Sequence, residues 1–155
     1  MVVSELGRRA FAGVWFAFLA VIPVAFYFLF LGGGIAQQQG AKFLWLFIAA
    51  PLLLAGICGC LLGYTILDPA KVRTSGQAML RGLIVAMLAH IIFAALLSLV
   101  VGLTSNDPVR FLVRWPLILL FATVYIGWLV AIVGAVGGAL LYMYRVMGGD
   151  HRQQG

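Results

Sequence analysis

The sequence predicts an all-α integral membrane protein, four transmembrane helices in an up-and-down bundle with both termini on the cytoplasmic side. Three observations carry this. The 155 residues are 65% hydrophobic and only 9% charged, against about 45–50% and about 25% in an ordinary soluble domain. The charged residues fall between long uncharged runs rather than within them. Each run reaches the ~20 residues that an α-helix needs to cross a bilayer. A soluble fold of this size leaves much of its surface in water, so the surplus apolar surface must face lipid. One transmembrane domain, residues 1–155, accounts for the length.

The first run, 10–31, follows Arg8 and Arg9 and resembles the start of a signal peptide. It is longer than the roughly 7–15 residues of a signal core, so it is expected to stay as a membrane span. The second, 43–67, lies between Lys42 and Asp68. The third, 82–103, follows Arg81, and the fourth, 115–144, lies between Arg114 and Arg145. At 30 residues the fourth would reach about 45 Å, so it is expected to tilt or project. The runs are apolar all round, without the alternation of barrel strands.

Orientation follows the basic residues. Arg8, Arg9, Lys71, Arg73, Arg81, Arg145 and Arg152 fall on one side, and Lys42, Arg110 and Arg114 on the other. The richer side, comprising the tails 1–9 and 145–155 and the loop 68–81, is read as cytoplasmic, in the inner membrane of a prokaryote. Trp45 and Trp115 mark the outer interface; Trp15, Tyr64, Tyr142 and Tyr144 mark the inner one. Asp68-Pro69 reads as a helix N-cap followed by proline, and the basic–apolar alternation after it admits a short interfacial helix.

An offset of 69 aligns Gly13 with Gly82, Ala17 with Ala86 and Ala20 with Ala89. An offset of 78 aligns Gly56 with Gly134, Gly59 with Gly137 and Tyr64 with Tyr142. The pattern is that of a parallel duplication of a helical hairpin, although chance matches are frequent in sequences built from Ala, Gly, Leu and Ile.

Small residues repeat every four positions at Ala55, Gly59 and Gly63 in the second span, and at Gly127, Ala131, Ala135 and Ala139 in the fourth, with Gly134 and Gly138 beside them. Such stripes let backbones approach closely where lipid supplies no hydrophobic force between helices. They predict that spans two and four pack most tightly, against each other or across a dimer.

His90 is the ionisable group deep within a span, a functional candidate by default. Counting depth from the charged ends places it level with Cys58 and Gly59 in span two and with Val136 and Gly137 in span four. Cys58 and Cys60 lie about 200° apart around a helix, so they cannot both reach one metal ion. The plainer reading is a hydrogen-bonded histidine and two small, inert thiols. Pro23 and Pro51 are expected to kink their helices. Arg114 is expected to reach the headgroups. Lys71, Arg73 and Arg81 are candidates for docking anionic lipid headgroups or a partner, and the net charge of +6 is assigned to lipid rather than nucleic acid.

No acid or base other than His90 lies centrally in a span, which argues against ion-coupled transport. No phosphate loop, zinc-protease helix or paired carboxylate occurs. The expectation is a non-enzymatic protein without cofactor or metal, a small subunit or scaffold that packs as a homo-oligomer or in a larger membrane complex. The alternatives are an oligomeric passive pore or small-solute carrier, and a haem- or quinone-associated subunit using His90.

Overall fold

The computed structural model describes residues 5–32, 41–104, 116–117, 120 and 123–150. All regular structure among them is helical. Three helical stretches, Glu5–Phe30, Ser75–Val100 and Thr123–Met147, are long and apolar enough to cross a membrane, and Leu46–Leu61 is a shorter apolar helix. Large apolar side chains point outward along them, among them Phe18, Leu29, Leu53 and Val124, each more than 60% exposed. The expected outer anchors Trp115, Arg110 and Arg114 lie outside the described residues, as do the side chains of Lys42 and Trp45.

The first stretch is α1 (Glu5–Leu19) and α2 (Val21–Phe26), continued as a wide π-helical turn over Tyr27–Gly32. α1 breaks from α2 at Ala20, four residues after Phe16, whose carbonyl still accepts the Ala20 N–H at 3.0 Å. Pro23 has no N–H for the Leu19 carbonyl, so the regular ladder lapses here. α3 (Ala41–Leu61) carries Pro51 without interruption. It ends in a 3₁₀ turn, Gly63–Leu67, in which the Thr65 hydroxyl donates to the Leu62 carbonyl at 2.7 Å.

The connection that follows is not an interfacial helix. Asp68 closes a turn instead of capping a helix: its carboxylate accepts the Ala70 N–H at 3.0 Å, across Pro69, in the manner of an Asx turn. The capping role falls to Thr74, whose hydroxyl accepts the Gln77 N–H at 3.3 Å, while the Gln77 side chain accepts the Arg73 N–H at 2.9 Å. This reciprocal cap starts α4 at Ser75, seven residues before the sequence reading placed it, and α4 runs Ser75–Thr104. The fourth stretch opens with a π turn, Thr123–Gly127, and continues as α5 (Trp128–Asp150), past the expected end at Tyr144.

α1 packs on α3, and α4 on α5; α3 with α4 and α1 with α5 close the ring. Of the two partners expected for the striped spans, the other striped span is therefore not the one they meet within the chain. Each stripe faces its own hairpin partner. A methyl added at Gly59 would lie 2.7 Å from the Ala12 carbonyl oxygen, and Gly63 lies under the Phe16 ring. Gly134 and Gly138 lie against Gly82, Ala86 and Ala78 of α4. Ala131 and Ala135 are half-buried on α5. Short loops make sequence neighbours antiparallel partners, so the small faces are consumed within each hairpin.

The two hairpins repeat their contacts at the two sequence offsets. Gly13 meets Gly56 and Cys60, and Gly56 meets Ala17; at the equivalent positions Gly82 meets Gly134 and Gly138, and Gly134 meets Ala86.

The end of the bundle that carries residues 62–74, called the inner end for reference, is tied by side chains. The half-buried Arg145 guanidinium donates to the carbonyls of Ile66 and Val72, both at 3.0 Å. The Tyr142 hydroxyl donates to the Arg73 carbonyl at 3.0 Å, and Arg81 to that of Lys71 at 3.2 Å. Ile66 and Val72 are fully buried as a result. Trp15, read as an interface marker, instead donates its indole N–H to the Gly137 carbonyl at 3.1 Å and joins α1 to α5.

Candidate functional site

Between the helices lies a partly open cavity of about 580 Å³ to which all four helical stretches contribute. Small side chains make the space. Ala20, Ala55, Ala86, Ala89, Ala94 and Gly134 line it, where larger residues would have filled the centre. Its walls are related by the same offsets that relate the glycine contacts. Phe16 and Val85 form one such pair, Ala20 and Ala89 another, and Ala55 and Val133 a third.

The inner end is floored by Phe16, Ala55 and Val85, all buried. The outer end is aromatic, with one ring from each helical stretch: Tyr27, Phe47, Phe93 and Tyr125. Tyr27 stacks on Phe47 with ring centroids 5.4 Å apart and planes 2° from parallel, and Phe47 meets Phe93 edge-on at 6.2 Å. Offset or edge-on aromatic pairs of this kind hold their rings in fixed orientations. Tyr125 is 56% exposed, and no other lining residue is classed as exposed. It sits in the π turn, where the Trp128 indole donates to its carbonyl at 3.0 Å. Wide π turns recur at functional sites.

His90 lines the cavity one helical turn inward of Phe93. Its Nε2 is buried and would lie 3.9 Å from a methyl placed on Gly127. The sequence reading set it opposite Val136 and Gly137; it is opposite Gly127, roughly two and a half to three turns further out. Counting from the charged ends failed because the close contacts of Gly82 with Gly134 and Gly138 set the register of this hairpin.

The cysteines take no part. Cys58 is buried in the packed core and Cys60 lies against Gly13. Among the described residues no three His, Cys, Asp or Glu side chains gather where they could hold a metal ion. Of the stripe residues, Ala55 and Gly134 line the cavity, Gly127 flanks His90, and Gly59, Gly63 and Gly138 serve helix contacts. Pro23 and Pro51, read as structural kinks, both line the cavity.

The basic set lies at the far inner end. Lys71 is 3.9 Å from the Asp68 carboxylate and sits over the Tyr64 ring, as does Arg9 of α1. Arg73 is exposed.

The residues that sequence reasoning missed are the four aromatics. Phe47 and Tyr125 are related by the offset of 78, a signal that was present but not drawn on. Comparison with protein-family models, curated proteins and solved structures finds no match to this chain.

Proposed function

We propose that the chain is a four-helix, up-and-down membrane bundle built by duplication of a hairpin, and that it holds or carries a lipid-soluble small molecule without catalysing a reaction. The observation that carries this is the cavity. Pockets of roughly 300–1,000 Å³ accommodate small organic ligands, and this one, about 580 Å³, is bounded almost wholly by apolar side chains. A space of that kind within hydrocarbon favours an apolar guest and resists an ion, since a dry apolar constriction is a barrier to charge. That weighs against the passive-pore reading for charged solutes.

The scaffold reading relied on small-residue faces being available to a second chain. Those faces are engaged within the chain, so an oligomer or larger complex would use other surfaces. In this proposal the membrane is the cytoplasmic membrane of a prokaryote. Both termini face the cytoplasm, and Lys71 and Arg73 meet anionic headgroups.

The test is purification in mild detergent followed by native mass spectrometry and solvent extraction. The wild-type chain is expected to carry a lipid-soluble molecule near 1:1. Ala89→Phe and Ala94→Leu, which fill the cavity from buried positions, are expected to lose it. Equal lipid content in all three proteins would refute the proposal.

A further inference from the structure

The basic side chains of the inner end divide into those that the chain itself satisfies and those that it does not. Arg9 holds the Glu5 carboxylate at 2.6 Å, and Lys71 is 3.9 Å from that of Asp68. Arg81 donates to the Lys71 carbonyl, and Arg145 to those of Ile66 and Val72. Arg73 is exposed, so water serves it. Arg8 differs from all of these. It is half-buried, and its Nε is shut off from solvent with no acceptor in reach. Its two terminal nitrogens stay open to the outside and hold no partner among the described residues. Leaving a charged donor group unmet in this way is costly, and such a group in a native protein calls for a ligand. We infer that Arg8 binds the phosphate of an anionic phospholipid at the inner mouth of the seam between α1 and α5. This rests on the membrane reading proposed above and not on what the cavity holds.

The surroundings fit a lipid. Arg8 and Trp15 lie two helical turns apart and within about 20° around α1, so they share the face from which the Trp15 indole reaches Gly137 of α5. Between their levels Phe11 stacks on Tyr144 of α5 with ring centroids 5.2 Å apart, and both rings are exposed. Exposed aromatic rings mark the headgroup level of a bilayer. Outward from there α1 presents Phe11, Val14 and Phe18, all exposed, in a strip about 60–120° around the helix from Arg8. From Arg8 to Phe18 the helix rises about 15 Å, room for an acyl chain alongside. The enclosed Nε fixes the plane of the guanidinium, and the terminal pair of nitrogens meets the phosphate oxygens as a fork, a match that an ammonium group cannot make. Lys71 and Arg8 both lie within electrostatic range of Glu5, whose carboxylate is already held by Arg9. A second cation near the site favours an anionic headgroup over a zwitterionic one.

The experiment follows binding of dioctanoyl phosphatidylglycerol to the full chain in mild detergent by native mass spectrometry, with dioctanoyl phosphatidylcholine as the zwitterionic control. The wild type is expected to bind one phosphatidylglycerol saturably and several-fold more tightly than phosphatidylcholine; equal affinity would overturn the anionic assignment. Arg8→Gln is expected to weaken phosphatidylglycerol binding about tenfold, the value of a charge-assisted hydrogen bond. Arg8→Lys keeps the charge without the fork and is expected to weaken it about threefold. Inorganic phosphate in large excess is expected to leave the lipid bound; displacement would make free phosphate the ligand and overturn the lipid assignment. Affinity within twofold of the wild type in Arg8→Gln overturns the inference, and where that variant fails to fold by circular dichroism, an unchanged affinity in Arg8→Lys does so. Ala89→Phe, which fills the cavity, is expected to bind phosphatidylglycerol like the wild type. If it loses the lipid while Arg8→Gln retains it, the lipid occupies the cavity, and the inference fails while the cavity reading stands.

Discussion

The duplicated glycines offer a paired substitution in which most confounding effects cancel. Gly56 and Gly134 occupy equivalent places in the two hairpins, each against an alanine and a glycine of its partner helix. The room around them differs. A methyl on Gly56 would meet Ala17 Cβ at 3.5 Å and the Gly13 carbonyl oxygen at 3.6 Å, which is ordinary contact. A methyl on Gly134 would collide with Ala86 Cβ and approach the Gly82 carbonyl oxygen at 2.7 Å. Neither neighbour is a flexible side chain, so α4 and α5 must separate. Restoring ordinary contact takes roughly an ångström, and a gap of 0.5–1 Å already forfeits a quarter to a half of the dispersion attraction along the seam. Overpacking of this kind costs about 1–3 kcal/mol. Both substitutions gain about 1 kcal/mol of helix propensity, which drops out of the comparison. Unfolding in mixed micelles by titration with dodecyl sulfate, read by far-ultraviolet circular dichroism, is expected to show Gly134→Ala less stable than Gly56→Ala by about 1–3 kcal/mol. Gly76→Ala, with nothing within 4 Å, is expected to match or exceed the wild type. Equal stability of Gly134→Ala and Gly56→Ala would refute the register assigned to the second hairpin.

Three further outcomes follow from the inner end. Arg145→Met removes two charge-assisted bonds to the Ile66 and Val72 carbonyls, and is expected to lower stability by about 1.5–3 kcal/mol. Amide exchange across residues 66–74 should quicken with it, and unchanged exchange there would count against the clamp. Thr74→Val removes the cap of α4; a loss of about 1 kcal/mol is expected, with exchange quickening in the first turn of α4 only. Single cysteines placed near residues 3 and 153 in a chain lacking Cys58 and Cys60 are expected to label from the same face of sealed vesicles. Labelling from opposite faces would overturn the orientation.

Much of the helical architecture was legible because it depends on composition along the chain. Arg9, Lys42, Asp68, Arg81, Arg114 and Arg145 punctuate uncharged runs, and such runs have few structures open to them in hydrocarbon. The boundaries were less legible. Gln77 and Thr74 look like solvated loop residues until their mutual capping is seen, and the basic residues around them drew the eye to Arg81 as the helix start. The stripes were visible, but a stripe says which face is small and not which helix will fill it. Gly59 met α1 and Gly134 met α4 because adjacent helices had first claim. The cavity was hidden for the same reason. It arises where alanines from three separate segments converge with Gly134 of the fourth, and neither Ala55 nor Ala89 signals by itself that its neighbour across the bundle is also small. His90 was singled out by chemistry alone; its true level required the glycine register.

The grip of Arg145 on both sides of the connection between the hairpins alters what that connection tolerates. Surface bends ordinarily accept insertions and deletions with little effect. Here residues 68–74 are a spacer of fixed length, held at Ile66 and Val72 by a side chain rooted in the last helix. One residue more or fewer in this bend would shift one hairpin against the other. The walls of the chamber would then no longer be in step, with no change made to any residue that lines it.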